Sequence, residues 1–230
     1  MNTWEEVRKL MNTPELTMGP YFSSQIKNDP KHLLFTLSRY KFAYKMLPSF
    51  KKNKILELGC SEGLGALLLS DNKNDILGVD SDALAIEQAN KTLATKNIKF
   101  KCKNFVGEFF GYFDAVVSLD VIEHIDKENE NKFLETVVNN LSEEGIALIG
   151  TPNETANQYA SEASKIGHIN LFDAKRLEEL MRNYFSYVFI FGLNDEVVHT
   201  GFHPMCHYLV ALCCGAKIRS TKSLNRVIPT

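Results

Sequence analysis

Short apolar runs bounded by turn residues alternate with longer amphipathic stretches through the middle of the chain. The short runs predict buried strands, and the apolar positions at helical spacing between them predict helices. The predicted strands are residues 55–58, 76–79, 98–102, 114–119 and 145–150. The predicted helices are residues 64–70, residues 83–95 and a segment with apolar positions from Phe133 to Leu141. Alternating strands and helices predict right-handed crossovers and a parallel sheet that is covered on both faces.

The last third of the chain departs from this alternation. Residues 153–165 predict a polar helix, and residues 174–184 predict an amphipathic one. Two strand-like runs, 187–191 and 207–213, are joined by a loop without a helix, which predicts a hairpin. The pattern therefore predicts an α/β fold with a doubly wound, mostly parallel sheet of seven strands, in which the last strand is antiparallel.

Length and composition narrow the class of protein. The 230 residues fit one domain, 1–230, with a full hydrophobic core. A net charge of -2 gives no general attraction to nucleic acid or to an anionic membrane, so we expect neither partner. No signal peptide is recognisable, no apolar run has the length of a membrane helix, and the five cysteines lack the spacing of a disulfide framework. These features predict a reduced, cytoplasmic protein.

The first predicted strand ends in a glycine turn. Gly59 allows a tight turn and Gly63 allows the backbone to approach a ligand closely. Ser61 occupies the place of the second glycine of a dinucleotide dehydrogenase, which argues against that class. Asp80 ends the second strand about 20 residues further on, where a carboxylate can accept hydrogen bonds from ribose hydroxyls. The alternative role for Asp80 is to cap the helix that follows.

Three segments together, ILELGCSEG, GVDSD and FDAVVSLDVIEHI, resemble the motif series of class I S-adenosylmethionine-dependent methyltransferases. The resemblance covers roughly residues 30–215. It is closest to the small-molecule branch, which includes ubiquinone-pathway O-methyltransferases and many methyltransferases of sugars and polysaccharide precursors. It implies a Rossmann-like fold, binding of S-adenosylmethionine and release of S-adenosylhomocysteine. It also implies that an N-terminal helical segment, residues 1–50, covers the cofactor.

The resemblance assigns cofactor contacts to residues at the ends of four strands. Glu57 is expected to organise the turn from below, and Arg39, 18 positions before it, to bind the methionine carboxylate. The alternative for Arg39 is a solvent-facing helix charge. Ser61 and Asn104 depart from the glycine and aspartate that are common in the family, but both can still hydrogen-bond. The remaining implied contacts are Gly59, Cys60, Ser61 and Gly63 at the methionine part, Asp80 and Ser81 at the ribose, Asn104 and Phe105 at the adenine, and Leu119 and Asp120 beneath the sulfonium.

Two histidines are candidate catalytic bases. His124 follows the fourth strand, and His168 precedes the helix that begins near Ala174. A hydroxyl acceptor must lose a proton, which a histidine can take near neutral pH, whereas a carboxylate acceptor needs no base. The alternative role for both is structural. We predict no metal, but Asp120, Glu123, His124 and His168 could instead bind a divalent ion through which the acceptor is held.

The segment 153–204 is expected to cap the acceptor site. Residues 153–168 and the loop 192–204 are polar and carry few large aliphatic side chains, which favours a small hydrophilic acceptor such as a sugar or polysaccharide precursor. The alternatives are a quinone-type or aromatic hydroxyl acceptor, and a subunit that binds S-adenosylmethionine without catalysis. A nucleic-acid substrate is disfavoured because SLDV stands where the NPPY-type tetrapeptide that holds a flipped base would follow the fourth strand. We expect a monomer or a homodimer.

Overall fold

The computed structural model describes residues 3–11, 16–49, 51–195 and 197–217. The helices in these ranges are α1 Thr3–Met11, α2 Pro20–Asn28, α3 Pro30–Met46, α4 Leu64–Ser70, α5 Ala83–Thr92, α6 Glu130–Asn139, α7 Glu162–Gly167 and α8 Ala174–Arg182. The strands are β1 Lys54–Leu58, β2 Asp75–Asp80, β3 Ile98–Cys102, β4 Phe113–Leu119, β5 Leu141–Pro152, β6 Phe185–Asn194, β7 Val197–His199 and β8 Tyr208–Ala216. Within the described ranges, none of the helices combines the length and the apolar character that crossing a bilayer requires.

One sheet contains all of these strands in the order β3-β2-β1-β4-β5-β8-β6-β7. The first five are parallel neighbours, and β8 runs antiparallel to both β5 and β6. The seven predicted strands and the antiparallel last strand are confirmed. The short strand β7, which pairs with β6, was not predicted, because three residues are too few to show an alternation.

The polar helix predicted over residues 153–165 is wrong in one respect, because the segment is broken into two pieces. A 3₁₀ helix covers Glu154–Tyr159, and α7 begins afresh at Glu162. Ser161 interrupts the segment in an extended conformation, and its hydroxyl accepts a hydrogen bond from the Ser164 amide. A serine that caps a helix therefore separates the two pieces.

Helices cover the sheet on both faces and form two hydrophobic layers. One layer contains apolar residues of α6 and α8, including Phe133, Leu134, Val137, Leu177 and Met181. The other contains residues of α3, α4 and α5, including Tyr40, Ala43, Ala66, Leu69, Ile86 and Ala89. The strand order reverses between β1 and β4, and in such sheets ligands bind beyond the carboxyl ends of the strands at that point.

Candidate functional site

The glycine turn after β1 has a left-handed backbone. Gly59 has a φ of 79°, Ser61 of 46° and Gly63 of 89°. A Cβ on Gly59 would lie 2.2 Å from Cγ2 of Val121, so this position accepts no side chain without displacing the segment after β4. The turn is therefore held against the ends of β1 and β4 by close packing as well as by its hydrogen bonds.

Asp80, at the end of β2, holds this turn through its carboxylate. Its Oδ2 accepts a hydrogen bond from the Ser61 amide at 2.8 Å, and its Oδ1 accepts one from the Asp82 amide at 2.9 Å. The cap of α5 is Asp82, which accepts from the amides of Leu84 and Ala85. The helix-capping role considered for Asp80 thus belongs to Asp82. Each carboxylate oxygen of Asp80 retains a lone pair for a ligand hydroxyl.

Glu57 lies directly beneath the turn and is buried. The Tyr40 hydroxyl donates to its Oε1 at 2.7 Å, whereas its Oε2 has no partner among the described residues. Burial raises the pKa of Glu57 from its ordinary value of 4.5 to about 8. The folded protein therefore holds a proton on this carboxyl at pH values where the unfolded chain has lost it.

This buried carboxyl predicts a pH dependence of folding. Between pH values near 4.5 and 8 the native state binds more protons than the unfolded state, so the free energy of unfolding falls as pH rises. Glu57→Gln keeps the oxygen that accepts from Tyr40 but cannot ionise, so we expect its stability to fall less between pH 5 and pH 8.5 than that of the wild type. Urea unfolding at both pH values measures this. Glu87→Gln, at an exposed position of α5, is the matched control and should retain the full wild-type slope.

Several predicted cofactor residues turn their side chains into the core. Cys60, Phe105 and Leu119 are all buried, and the Phe105 ring packs edge-on against Phe133 at 6.2 Å between ring centroids. These residues can offer a ligand little beyond their main chains. Asn104 is exposed, and its Oδ1 accepts from the Val106 amide at 3.0 Å, which leaves its amide nitrogen for a ligand.

Arg39 reaches from α3 to the end of β4, where it meets Asp120. Its Nη1 lies 2.7 and 2.8 Å from the two carboxylate oxygens of Asp120, and its guanidinium lies 3.9 Å from the centroid of the Tyr208 ring. In the described part of the chain its Nη2 and Nε have no hydrogen-bond partner. Two residues that were predicted separately are thus brought together. The arginine keeps free donors that point to recognition of an anionic group.

Glu123 lies one turn beyond Asp120 and is fully buried. The Thr151 hydroxyl donates to its Oε2 at 3.0 Å, while its Oε1 has no partner among the described residues. Burial and the nearby Asp120 charge raise the pKa of Glu123. Its main-chain carbonyl accepts from the amides of Ile169 and Asn170, which fixes the segment carrying His168 over the end of β4.

His124 and His168 lie side by side, with ring centroids 5.1 Å apart. Nδ1 of His124 lies 2.8 Å from the carbonyl oxygen of Gly167, and because a carbonyl only accepts, Nδ1 carries the hydrogen. Nε2 of neutral His124 therefore presents a lone pair. Burial and the neighbouring His124 lower the pKa of His168, which keeps it neutral near pH 7.

Three side chains here could hold a metal ion. Potential ligand atoms of Glu123, His124 and His168 all lie within 4.8 Å of one another, and a carboxylate with two imidazoles suits a divalent transition metal. Asp120, the fourth ligand considered from the sequence, is engaged by Arg39. The unpartnered Oε1 of Glu123 is the feature that fits an ion.

The two segments predicted to cap the acceptor site pack on each other. Asn153 donates from its side-chain amide to the carbonyls of His203 and Cys206, both at 2.9 Å. The Thr155 hydroxyl donates to the Pro204 carbonyl at 3.1 Å. The turn after β5 and the turn before β8 are therefore one connected surface.

Sequence reasoning assigned no role to two residues at this edge of the sheet. Tyr208 packs under Arg39 and accepts from the Asp120 amide at 3.1 Å, but a tyrosine at the start of a strand carries no functional signal. Glu62 lies inside the glycine motif, yet its partners are 40 and 41 positions earlier in the chain. No local pattern reports so distant a contact.

Known proteins resemble this chain in sequence and in fold. A protein family described as a methyltransferase domain matches residues 31–184. A ubiquinone biosynthesis O-methyltransferase of Rickettsia bellii is 29% identical over 134 residues, which are 57% of this chain and 54% of that protein. An uncharacterized Rickettsia prowazekii protein is 33% identical over 109 residues, 44% of each chain. The chain thus spans about half the length of the curated relatives it matches.

Solved structures share the fold at low sequence identity. A Thermotoga maritima S-adenosylmethionine-dependent methyltransferase, described as a possible histamine N-methyltransferase, has a TM-score of 0.66 at 17% identity. The match covers 85% of this chain and 94% of that one. The plantazolicin methyltransferase BpumL, in complex with a monoazolic desmethylPZN analog and S-adenosylhomocysteine, has a TM-score of 0.61 at 18% identity. The match covers 86% of this chain and 89% of that one. The match over residues 31–184, with the strand order and the glycine turn described above, shows that the chain belongs to the methyltransferase domain family, with the class I S-adenosylmethionine-dependent fold.

Proposed function

We propose that this chain binds S-adenosylmethionine and methylates a hydroxyl of a small polar acceptor. The observation that carries the proposal is that the glycine turn, Asp80 and His124 lie at or just after the carboxyl ends of β1, β2 and β4, neighbouring strands at the point where the strand order reverses. The free thiols of all five cysteines support a reducing, cytoplasmic compartment.

The donors and acceptors at this edge suit the cofactor. When bound, S-adenosylmethionine supplies an electrophilic methyl group on a positively charged sulfur. The free lone pairs of Asp80 would accept from the ribose hydroxyls, with the exposed Ser81 beside them. The free nitrogens of Arg39 would donate to the methionine carboxylate, while the Asp120 carboxylate keeps the guanidinium in place. The Asn104 amide would face the adenine.

His124 is the proposed general base. Nε2 of His124 would take the proton that the acceptor hydroxyl loses when its oxygen is methylated. The Gly167 carbonyl holds the imidazole in the tautomer that can accept this proton. His168, which is kept neutral beside it, adds no positive charge to oppose that transfer.

A cleft beside Arg39 supports a polar acceptor. It is lined by Phe35, Arg39, Leu193, Asp195, His207 and Tyr208. The exposed Asp195 carboxylate has no hydrogen-bond partner among the described residues, so it can accept from acceptor hydroxyls. Aromatic walls with a few polar groups suit a sugar ring. We therefore favour a sugar or polysaccharide precursor, with the segment 153–204 as its cap.

A second candidate acceptor is an aromatic or quinone-type hydroxyl. The relatives named ubiquinone biosynthesis O-methyltransferases favour it, and Phe35 and Tyr208 offer aromatic surface in the same cleft. A subunit that binds the cofactor without turnover is the remaining alternative.

A transfer assay separates these candidates. Protein is incubated with methyl-labelled S-adenosylmethionine and parallel panels of sugars, sugar nucleotides and catechol-type phenols. We expect label in a carbohydrate, and we expect Asp195→Asn to raise its KM by about tenfold, the effect of one hydrogen bond to a charged group. Label in the phenols alone would show that the acceptor is an aromatic hydroxyl and not a sugar. Cofactor binding with no transfer to any panel would favour the non-catalytic alternative.

A further inference from the structure

We propose that Glu62 is a positioning residue that holds helix α2 over the glycine turn, where the cofactor is proposed to bind. The inference rests on the proposed cofactor site. Glu62 belongs to the glycine turn, between Ser61 and Gly63, but its side chain points away from the sheet towards the N-terminal segment. One residue thus belongs to the loop beneath the cofactor and also contacts the helix that would cover it.

The contact is a helix cap supplied from a distant part of the chain. The amide of Tyr21 donates to Oε1 of Glu62 at 2.8 Å, and the amide of Phe22 donates to Oε2 at 3.0 Å. These are two of the first amides of α2, which have no partners within the helix. The N-cap position of α2 is Gly19, which has no side chain to satisfy them. The carboxylate also complements the positive end of the helix dipole.

The Glu62 carboxylate is buried and lies close to Gly19. Glu62 is only 4% exposed. A Cβ on Gly19 would lie 2.3 Å from the carboxylate carbon and from Oε1, so a side chain here would require the carboxylate to shift from its place against the amides. The backbone of Gly19, with φ -70° and ψ 172°, is allowed for any residue. The constraint on the size of this residue therefore comes from Glu62 and not from the backbone conformation.

The segment at the start of α2 also contacts α5. Phe22 is buried, and the Gln88 amide donates to the Thr17 carbonyl at 2.8 Å. The start of α2 is thus held by both the glycine turn and α5, so the cofactor should enter and leave more easily when the Glu62 contact opens.

Stopped-flow dissociation of S-adenosylmethionine tests this. We expect Glu62→Ala to raise the dissociation rate by roughly tenfold, the effect of losing a helix cap. Glu62→Gln, which keeps one acceptor oxygen, should give an intermediate rate, and the exposed Glu87→Gln should give the wild-type rate. Hydrogen exchange should become faster at the amides of Tyr21 and Phe22 in Glu62→Ala, while the amides of β1 and β4 should exchange as in the wild type.

Gly19→Ala should disturb the same contact by steric hindrance, because its Cβ would displace the Glu62 carboxylate. It should match Glu62→Ala in dissociation rate, and it should add nothing when both changes are combined, because the clash needs the carboxylate. Faster exchange in α2 without faster cofactor dissociation would overturn the proposal, since Glu62 would then be a structural cap only. A wild type that does not bind the cofactor would overturn the proposed function itself, and this inference with it.

Discussion

Replacing His124 with alanine is expected to lower kcat by about 10²–10⁴ while leaving the affinity for S-adenosylmethionine unchanged. The reason is the geometry of the imidazole. Its Nδ1 is committed to the Gly167 carbonyl, so Nε2 alone can take the acceptor proton. Initial rates at saturating cofactor, with binding measured separately by calorimetry, separate the two effects.

His124→Asn is the matched variant for this experiment. An asparagine amide can still donate towards the Gly167 carbonyl but cannot act as a base near neutral pH. It should therefore be as slow as the alanine variant. Wild-type kcat in His124→Asn would show that the residue only positions the segment around His168.

The metal alternative makes a different prediction for the same residues. If Glu123, His124 and His168 hold an ion, chelation should abolish activity and a divalent cation should restore it. If His124 is a base, chelation should leave the rate unchanged. Activity measured with and without a chelator therefore decides which role the three residues share.

Replacing Asp80 with alanine is expected to weaken S-adenosylmethionine binding by at least about 100-fold. Two hydrogen bonds from ribose hydroxyls to a charged acceptor contribute roughly 3 kcal/mol or more together. The variant also removes the acceptor of the Ser61 amide, which loosens the glycine turn. Calorimetric titration of the variant against the wild type measures the loss.

Asp82→Ala is the matched control for Asp80. Asp82 is two positions away and caps α5 through the amides of Leu84 and Ala85. Its loss should lower the free energy of unfolding by about 1 kcal/mol but leave cofactor affinity unchanged. Equal losses of affinity in both variants would mean that Asp80 acts through the local fold and not through the ligand.

The fold was predictable because its signals are local. The runs that became β1, β2 and β4 are short and apolar, and helix α4 begins and ends at the predicted residues. The break at Ser161 was missed because a polar segment has no apolar stripe to mark where a helix stops. The three-residue strand β7 was missed because so short a segment shows no periodicity.

The candidate site was only partly predictable, because its decisive contacts join distant segments. The glycine turn and Asp80 were placed correctly at the ends of β1 and β2. The pairing of Arg39 with Asp120 spans 81 positions and depends on where α3 crosses the sheet. The cap that Glu62 gives to α2 likewise joins residues 40 and 41 positions apart. A sequence shows which groups are present, but their pairing follows from packing.

The central claim is that the edge formed by β1, β2 and β4 binds S-adenosylmethionine. The most direct measurement is calorimetric titration of the wild type with S-adenosylmethionine and S-adenosylhomocysteine, with NAD as a comparison ligand that the turn at Ser61 should reject. We expect micromolar binding of both adenosyl compounds and none of NAD. No binding of either adenosyl compound would contradict the account, and the glycine turn would then serve packing alone.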